Sequence, residues 1–280
     1  MDRLLAASGG TIDLANYDSN GDLADAGGGD GIAAIVDSAD VAVAGSPFVA
    51  ARQSVGLYRI SLPDTLSILD TYSVDWTMPD ATHRATSFEI VGTFLYTVKG
   101  FQDFDAALAN ETTYPPSRDR DIREAVEDRF AQIAQVSFTR RGLREYLDGD
   151  GTTSLFTIWP QIRRIVSLKI DGTAQTLSNV KAYPTGRITL LAGAFNWGRQ
   201  NVEVLYEHGF DPPPAPVVEA GKRYGRELIV KGAFDDMARA TSIQTELGLM
   251  RISQAAQGKV GIPEVDAVLA DYGYAGALVG

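Results

Sequence analysis

The sequence predicts an α+β fold: an N-terminal immunoglobulin-like β-sandwich followed by a helical core that carries an inserted β-rich subdomain. Three observations predict it. Runs of alternating apolar and polar residues recur at intervals of about ten residues before residue 98. Two later segments instead carry apolar residues at helical spacing. Between those two segments, the pattern is strand-like again for about 80 residues.

The N-terminal domain begins with a Gly- and Asp-rich stretch, residues 1–31, which we expect to be a flexible arm, or a short strand with loops. Two segments after it alternate clearly, at 56–63 and at 72–78. In a strand, successive side chains point to opposite faces, so one face of each segment is apolar. The apolar faces comprise Tyr58, Ile60 and Leu62 in the first segment, and Tyr72, Val74 and Trp76 in the second.

Two helices are predicted in the second half, over 117–138 and 216–234. Ser117 is placed to cap the first of them. Each helix has a single apolar stripe, so we expect the two to pack against each other. The stripes comprise Ile122, Val126, Phe130, Ile133 and Ala134 in the first helix, and Val217, Ala220, Tyr224 and Leu228 in the second.

The predicted β-insertion covers about 143–210 and lies between the two helices. Residues 148–151, Asp-Gly-Asp-Gly, separate two apolar runs and predict a hairpin turn. Its last strand, 201–207, must end before Pro212, because proline cannot donate to a ladder. Beyond the second helix, 239–253 predicts two short strands or an extended loop, and Pro263 starts a short helix that closes near Gly273.

These elements predict three regions. The divisions are an acidic β-sandwich-like domain over 1–98, a linker over 99–116, and a core over 117–280 that includes the β-insertion and a C-terminal tail over 263–280.

The net charge is −11, and it is unevenly distributed. Residues 1–112 hold 5 Lys or Arg and 16 Asp or Glu, whereas the remaining residues hold 20 of each. An acidic N-terminal domain repels phosphate, so general nucleic-acid binding is not expected of it. Arginines 140, 141 and 144, or 163 and 164, could form a local basic patch, and the competing interpretation is a solvated face or a salt bridge between subunits.

The composition argues against metal, disulfide and membrane chemistry. There are no cysteines and only two histidines, His83 and His208, so we expect no metal and no cofactor. No apolar run approaches the ~20 residues needed to span a bilayer, so we expect no contact with a membrane.

Catalysis is also not expected. His208 lies beside Glu207 and could act as a base, but no nucleophile accompanies it, and a structural histidine at a strand end is the simpler interpretation. The pairs Asp148/Asp150 and Asp235/Asp236 lie at a predicted turn and a helix end. A stretch from Asp18 to Asp25 has only part of the order of a calcium-binding loop.

Several segments, taken in order, resemble a known family. They are IREAVEDRF at 122–130, VSFTRR at 136–141, YLDGDGT at 146–152, NVEV with YEHGFDPP at 201–213, and IPEVD at 262–266. In this order, and with the β-domain in front of them, they resemble the head-to-tail adaptor (connector, or head-completion) proteins of tailed bacteriophages, in particular siphoviruses of actinobacteria.

This resemblance implies a structural virion protein and not an enzyme. It implies a homo-oligomeric ring, expected to contain twelve copies, in the neck between capsid and tail, assembled in the host cytoplasm. Its partners would be the portal protein, the stopper or next tail connector, and, without specificity, the DNA passing through the channel. The expected interface residues lie on the two helices, near the arginine cluster and in the tail: Ile122, Val126, Phe130, Arg140, Arg141, Tyr224, Leu228, Tyr272, Tyr274 and Leu278.

A second interpretation stays open. β-Sandwiches on phage particles often bind surfaces, so the acidic, Trp-bearing domain 1–98 could instead be a carbohydrate-binding or adhesion module.

Overall fold

A computed structural model describes residues 2–231, 242–245, 248–251 and 259–273 of the chain. The fold is α+β, as predicted, and sheets dominate it. The chain divides into two compact units. The first comprises Met1–Gly92, Arg141–Thr157 and Ile162–His208; the second comprises Thr93–Arg140, Ile158–Gln161 and Gly209–Gly280. The region boundaries predicted above remain a prediction.

The first unit begins with a seven-stranded sheet in the order β1-β7-β6-β3-β4-β5-β2. Its strands are β1 (Asp2–Leu5), β2 (Gly10–Ala15), β3 (Gly31–Val36), β4 (Phe48–Ser54), β5 (Leu57–Leu62), β6 (Thr71–Thr77) and β7 (His83–Val91). Only β1 and β7 pair in parallel. The sheet curls so that its two edges approach, and Leu4 of β1 lies 3.2 Å from where a Cβ on Gly10 of β2 would be.

The interior of this sheet confirms the predicted alternation. Tyr58, Ile60 and Trp76 are fully buried, and Arg59 between the first two is exposed. Of the two interpretations of residues 1–31, a short strand with loops is closer to the structure than an arm: residues 2–15 supply both edge strands, and β2 pairs with β5 along its whole length. Most Gly and Asp residues of the stretch 1–31 lie in the connection between β2 and β3.

The rest of the first unit is formed by the β-insertion. Its four-stranded sheet has the order β11-β10-β14-β8, with β8 (Arg141–Gly149), β10 (Ile162–Ile170), β11 (Thr173–Ala174) and β14 (Gly198–His208). Its three-stranded sheet has the order β12-β13-β9, with β9 (Ser154–Phe156), β12 (Val180–Ala182) and β13 (Arg187–Leu190). The predicted hairpin at 148–151 is therefore wrong, because β8 pairs with β14, and β9 pairs with β13.

The second unit contains the helices α1 (Val98–Gln102), α2 (Pro116–Ala134), α3 (Ala215–Lys231) and α4 (Pro263–Tyr272). It also contains the hairpin of β15 (Ser242–Thr245) and β16 (Gly248–Arg251), which agrees with the two short strands predicted there. Ser117 does not cap α2: the helix starts one residue earlier, with Pro115 at the N-cap and no side-chain cap. Proline suits the first turn because its missing N–H would have had no helical partner.

One apolar cluster fills the second unit. Val126 and Phe130 of α2 are fully buried in it with Val217 of α3 and Val265 of α4. α3 packs against both α2 and α4, so the prediction that the two long helices pack on each other is confirmed. None of the helices described here combines the length and apolar character needed to cross a membrane.

Candidate interaction surfaces

A continuous series of aromatic rings links the elements of the second unit. Phe130 of α2 stacks on Tyr224 of α3 with 5.9 Å between ring centroids, and meets Phe138 edge-on at 6.4 Å. Phe138 in turn stacks on Phe210 at 5.8 Å, and Phe210 meets Tyr272 of α4 edge-on at 6.4 Å. Aromatic pairs at these distances stabilise a packed core beyond the area they bury.

The predicted interface residues of the helices belong to this cluster. Val126 and Phe130 are fully buried within the chain. The others pack against the cluster while keeping part of their surface accessible: Ile122, Tyr224, Leu228 and Tyr272. Tyr274 and Leu278 lie outside the described residues. Of the predicted interface residues on these helices, only these four partly accessible side chains are therefore in a position to touch a neighbouring molecule.

Small residues allow α3 to approach its neighbours closely. A Cβ at Gly221 would lie 2.6 Å from Leu95 Cδ2, and one at Gly225 would lie 2.8 Å from the hydroxyl of Tyr96. Tyr96 is itself buried and stacks on Phe101 at 5.1 Å. Burial raises the pKa of its hydroxyl. The sequence analysis gave these two glycines no role.

Charged groups are buried beneath the same helices. Glu127 of α2 accepts a hydrogen bond at 2.8 Å from the backbone N–H of Leu95, and Asp119 accepts one at 2.9 Å from Gln102. Arg123 lies with its guanidinium carbon 3.5 Å from the centroid of the Phe94 ring. Burial raises the pKa of Asp119. These contacts tie α2 to the segment that precedes it.

The arginine cluster forms ion pairs within the chain. In the second unit, Arg140 contacts Asp211 at 3.1 Å. In the first unit, Arg141 binds both oxygens of Glu89 at 2.6 Å, and Glu89 also accepts a bond from Arg3 at 3.0 Å. These ion pairs lie within one chain, whereas the salt bridges considered in the sequence analysis were between subunits. The guanidinium groups of Arg140 and Arg141 do not form a free basic patch.

Arg144 completes this network in the first unit. Its side chain is largely buried and contacts Glu203 at 2.5 Å, and Asp37 and Asp70 at 3.4 Å each. Ser38 accepts a further bond from its Nε at 2.8 Å. Buried charges need several such partners to offset the loss of hydration. Arg141 and Arg144 therefore fix β8 on the end of the seven-stranded sheet where β3 ends and β6 begins.

The residues considered for catalysis have structural partners. His208 is buried, and burial, followed by the nearby charge of Arg141, lowers its pKa from 6.5 to about 3. Asp148 accepts the backbone N–H of Gln200 at 2.6 Å, and Asp150 accepts that of Thr152 at 2.9 Å. Hydrogen bonds from Thr152 lower the pKa of Asp150. The pair Asp235/Asp236 lies outside the described residues.

The calcium-like stretch forms a turn. Asp18 Oδ1 accepts the backbone N–H groups of Asn20 and Asp22, at 2.8 and 3.0 Å. Within the described part of the chain, no group of three or more His, Asp or Glu side chains is arranged to hold a metal ion.

Three of the most exposed large apolar side chains lie in the β-insertion, and the sequence analysis did not single them out. Trp197 is 82% exposed, and Phe156 and Leu191 are each 64% exposed. The indole of Trp197 lies against Gly151, where a Cβ would collide with it. The signal that could have found Trp197 is its place between turn residues, in Asn196-Trp-Gly198, outside any alternating strand pattern.

An apolar groove runs between α3 and α4 in the second unit. Its volume is about 260 Å³. The floor is formed by Pro216, Ala220, Val265 and Val268, and charged side chains line the rim: Glu219, Arg223 and Glu264.

No protein-family model matches this chain, and no curated protein matches it. Among solved structures, the chain is similar to one described as the neck of an empty GTA particle computed with C6 symmetry. The two are 15% identical, with a TM-score of 0.39, over 59% of this chain and 93% of that one. A likeness at this level carries no argument about the function of this chain.

Proposed function

We propose that the protein is a structural component of a phage-like virion, a head-to-tail adaptor that acts by contact and not by catalysis. In this proposal, copies form a ring of twelve in the neck between capsid and tail. The ring docks on the portal, seats the stopper or next connector, and surrounds the channel through which DNA passes. Assembly takes place in the host cytoplasm.

One observation carries the proposal: parts of four of the segments that carry the family resemblance belong to one compact unit. Residues 122–130, 136–140, 209–213 and 262–266 are far apart in sequence and all belong to the second unit, whereas 146–152 and 201–208 belong to the first. Their aromatic members form the series described above, in which Phe138 lies between Phe130 and Phe210. Scattered weak matches that fold into one cluster support a shared core better than any of them alone.

The surfaces of this core suit assembly. A ring needs heterologous contacts, in which two different patches of each subunit meet. The groove between α3 and α4 offers one apolar patch in the second unit, and the exposed Trp197 offers another in the first. Exposed aromatic anchors are the residue type that most often contributes strongly to protein interfaces.

Of the predicted interface residues, Val126 and Phe130 would support such contacts from beneath, because neither is accessible. The residues in a position to touch a neighbour are Ile122, Tyr224, Leu228 and Tyr272. The proposal retains Tyr274 and Leu278 of the tail as contacts to the portal or to a neighbouring copy. The immunoglobulin-like assignment of the N-terminal domain belongs to the same proposal.

The carbohydrate-binding alternative loses its main support. It depends on a Trp-bearing surface in residues 1–98, where Trp76 is the only tryptophan. Trp76 is fully buried, and its indole N–H donates to Thr86 at 2.7 Å. A buried indole offers no face on which a sugar ring could stack.

The test is the particle mass of the purified protein, alone and mixed with the portal protein of the same virion. We expect a closed ring, or a complex of about twelve copies on the portal. A chain that stays monomeric and does not bind the portal at concentrations of tens of micromolar would contradict the adaptor function. In that case, screening the full chain against glycans would test the alternative.

A further inference from the structure

The outer face of the three-stranded sheet in the first unit is basic and aromatic. Antiparallel partners share a face, and the register pairs Lys181 with Thr189 and Arg187 with Phe156. Tyr183 closes the β12–β13 turn opposite Arg187. We call this surface the basic sheet face: Ser154, Phe156, Lys181, Tyr183, Arg187 and Thr189.

Burial confirms that this face points away from the core. Ile188 and Leu155, on the other side of the same strands, are buried, whereas Lys181 and Phe156 are exposed. Both cations lie near the ring of Tyr183: the guanidinium carbon of Arg187 is 4.2 Å from its centroid, and the Lys181 ammonium is 5.0 Å from it. Among the described residues, neither cation forms an ion pair with a carboxylate.

The sequence around this face is depleted of acid. From residue 151 to residue 202, the only acidic residue is Asp171, against six basic residues. Those six are Arg163, Arg164, Lys169, Lys181, Arg187 and Arg199. Only two of them are neutralised by acids of the four-stranded sheet, Arg164 by Glu207 and Lys169 by Glu203. In a chain of net charge −11, such a surface attracts an anionic partner.

The complementary surface is in the same unit. Residues 4–51 contain seven aspartates and no Lys or Arg. Their connection between β2 and β3, together with the β6–β7 turn, forms what we call the acidic end: Asp18, Asp22, Asp25, Asp30 and Asp80. Two cations lie near these carboxylates, and Arg52 forms an ion pair with Asp25. Hydrogen bonds from Thr82 are the main cause of the lowered pKa of Asp80, and the charge of Arg84 lowers it by a smaller amount. The five carboxylates thus exceed the two cations.

The acidic end and the β-insertion lie at opposite ends of the strands of the seven-stranded sheet. The β-insertion is fixed where β3 ends and β6 begins, through the contacts of Arg144 with Asp37 and Asp70. The acidic end lies where β3 begins: a Cβ on Gly31 would be 2.9 Å from the carbonyl of Thr77, and one on Gly27 would be 3.3 Å from the amide of Asp80. Six strand residues, roughly 20 Å, separate the two ends. The acidic end therefore lies well away from the insertion that bears the basic sheet face.

We infer that the basic sheet face of one copy docks on the acidic end of the next copy. This contact is heterologous, and contacts of that kind generate rings or filaments. The inference rests on the proposed function for its consequence, a closed ring. A second copy is favoured over nucleic acid as the occupant because its complementary charge is present on this chain, whereas the acidic N-terminal region would repel phosphate.

Charge exchange tests the inference. In full-length protein at low salt, Lys181→Glu with Arg187→Glu should weaken self-association by at least about tenfold, since like charges then face each other. Asn20→Lys with Asp22→Lys should do the same, and neither of these side chains holds the turn. The chain that carries all four substitutions should regain association. The matched control is Arg163→Glu with Arg199→Glu, which makes an equal change of charge on exposed residues of the four-stranded sheet.

Cross-linking gives an independent readout, which does not depend on the charge variants being stable. The chain has no cysteine, so introduced thiols are the only ones. A chain with Ser19→Cys, mixed with a chain with Thr185→Cys, should form a disulfide-linked heterodimer that high salt suppresses. Mixtures of either chain with itself should form far less. Equal yields in all three mixtures, or association that the charge reversals leave unchanged, would overturn the inference.

The outcomes separate this inference from the proposed function. If rings or portal complexes of the expected mass form but positions 19 and 185 do not cross-link, the contact between the basic sheet face and the acidic end is wrong and the adaptor function stands. A salt-sensitive cross-link without rings or portal binding would uphold the contact and count against the adaptor function. If the reversals at 181 and 187 instead abolish retention of duplex DNA and leave self-association intact, the basic sheet face binds nucleic acid and the inference is wrong.

Discussion

At the scale of the residue, close contacts and buried charges fix the fold of the first unit. Gly142 of β8 faces the backbone of Leu69, and a Cβ there would overlap the carbonyl group of that residue. Glu89 lies between Arg3 and Arg141 and is 2% exposed. Both features depend on residues that are far apart in the sequence, so no local pattern predicts them.

Gly142→Ala should destabilise the protein. The added methyl group meets backbone and not a movable side-chain end, so we expect a loss of about 1–3 kcal/mol in the free energy of unfolding. Denaturant unfolding followed by fluorescence measures it. Ser73→Ala, at an exposed position of β6, is the control and should stay within about 0.5 kcal/mol of the wild type. A Gly142→Ala variant as stable as the control would contradict the close approach of β8 to Leu69.

His208 should make stability depend on pH. Its pKa is lowered from 6.5 to about 3 in the folded protein, by burial and then by the charge of Arg141. Between these values the unfolded chain binds the proton and the folded protein does not. The free energy of unfolding contributed by this group therefore falls as the pH falls, by at most about 1.4 kcal/mol per pH unit.

The measurement compares the slope of unfolding free energy against pH, from about pH 6.5 to about pH 4, for the wild type and His208→Gln. The glutamine cannot take up the proton, so its slope should be smaller by about 1 kcal/mol per pH unit. His83→Gln, at the other and exposed histidine, is the control for the loss of a histidine side chain as such. Identical slopes for His208→Gln and the wild type would show that the imidazole is not held neutral.

At the scale of the element, α2 is held on more than one side. Its apolar stripe faces the aromatic series, and its buried Arg123 and Glu127 face the segment around Phe94 and Leu95. An isolated helix of one stripe is marginal in water, so its stability comes from these contacts. Periodicity alone predicted the first contact surface and missed the second, because buried charged residues look like a solvated face in sequence.

Phe130→Ala should cost about 3–5 kcal/mol of unfolding free energy, as expected for a fully buried Phe whose removal leaves a cavity. Phe130 touches both Phe138 and Tyr224, so the cavity cannot close by moving one element. Chemical denaturation gives the value. Asp121→Ala, on the exposed side of α2, serves as control and should change stability by less than about 0.5 kcal/mol. A mild effect of Phe130→Ala would mean that the aromatic series is not the core of the second unit.

At the scale of the whole molecule, assembly is expected to depend on surfaces that contribute little to the stability of one copy. Within the C-terminal tail, 263–280, residues 274–280 are uncharged and largely apolar. A segment of this composition is a candidate for insertion into a partner. The proposed contacts, Tyr274 and Leu278, lie in it.

Deleting 274–280 should abolish docking on the portal. The thermal midpoint of unfolding, measured on the same sample, shows whether the truncated chain is folded. Co-sedimentation with purified portal measures docking. Replacement of the deleted residues by a Gly/Ser segment of equal length controls for length. Normal docking of the truncated chain would refute the role of the tail.

Local pattern determined much of this protein. Alternation placed Tyr58, Ile60, Val74 and Trp76 in the interior, and helical spacing located α2, α3 and α4 to within a few residues. Such signals depend on neighbours a few residues away, which the sequence displays directly. The α+β class follows from them, as does the expectation that the two long helices pack together.

Only the tertiary structure decided which strands pair and which charges are satisfied. β8 pairs with the distant β14 and not with β9, the next strand in the sequence. Residues 2–15 form edge strands because β1 pairs with β7 and β2 pairs with β5, at the two edges of the sheet. Arg141 and Arg144 form ion pairs with Glu89 and Glu203, which are distant in the sequence. The exposure of Trp197 likewise depends on how distant parts of the chain pack. Pairing and burial depend on residues brought together from distant parts of the chain, and a single sequence records each partner without recording that they meet.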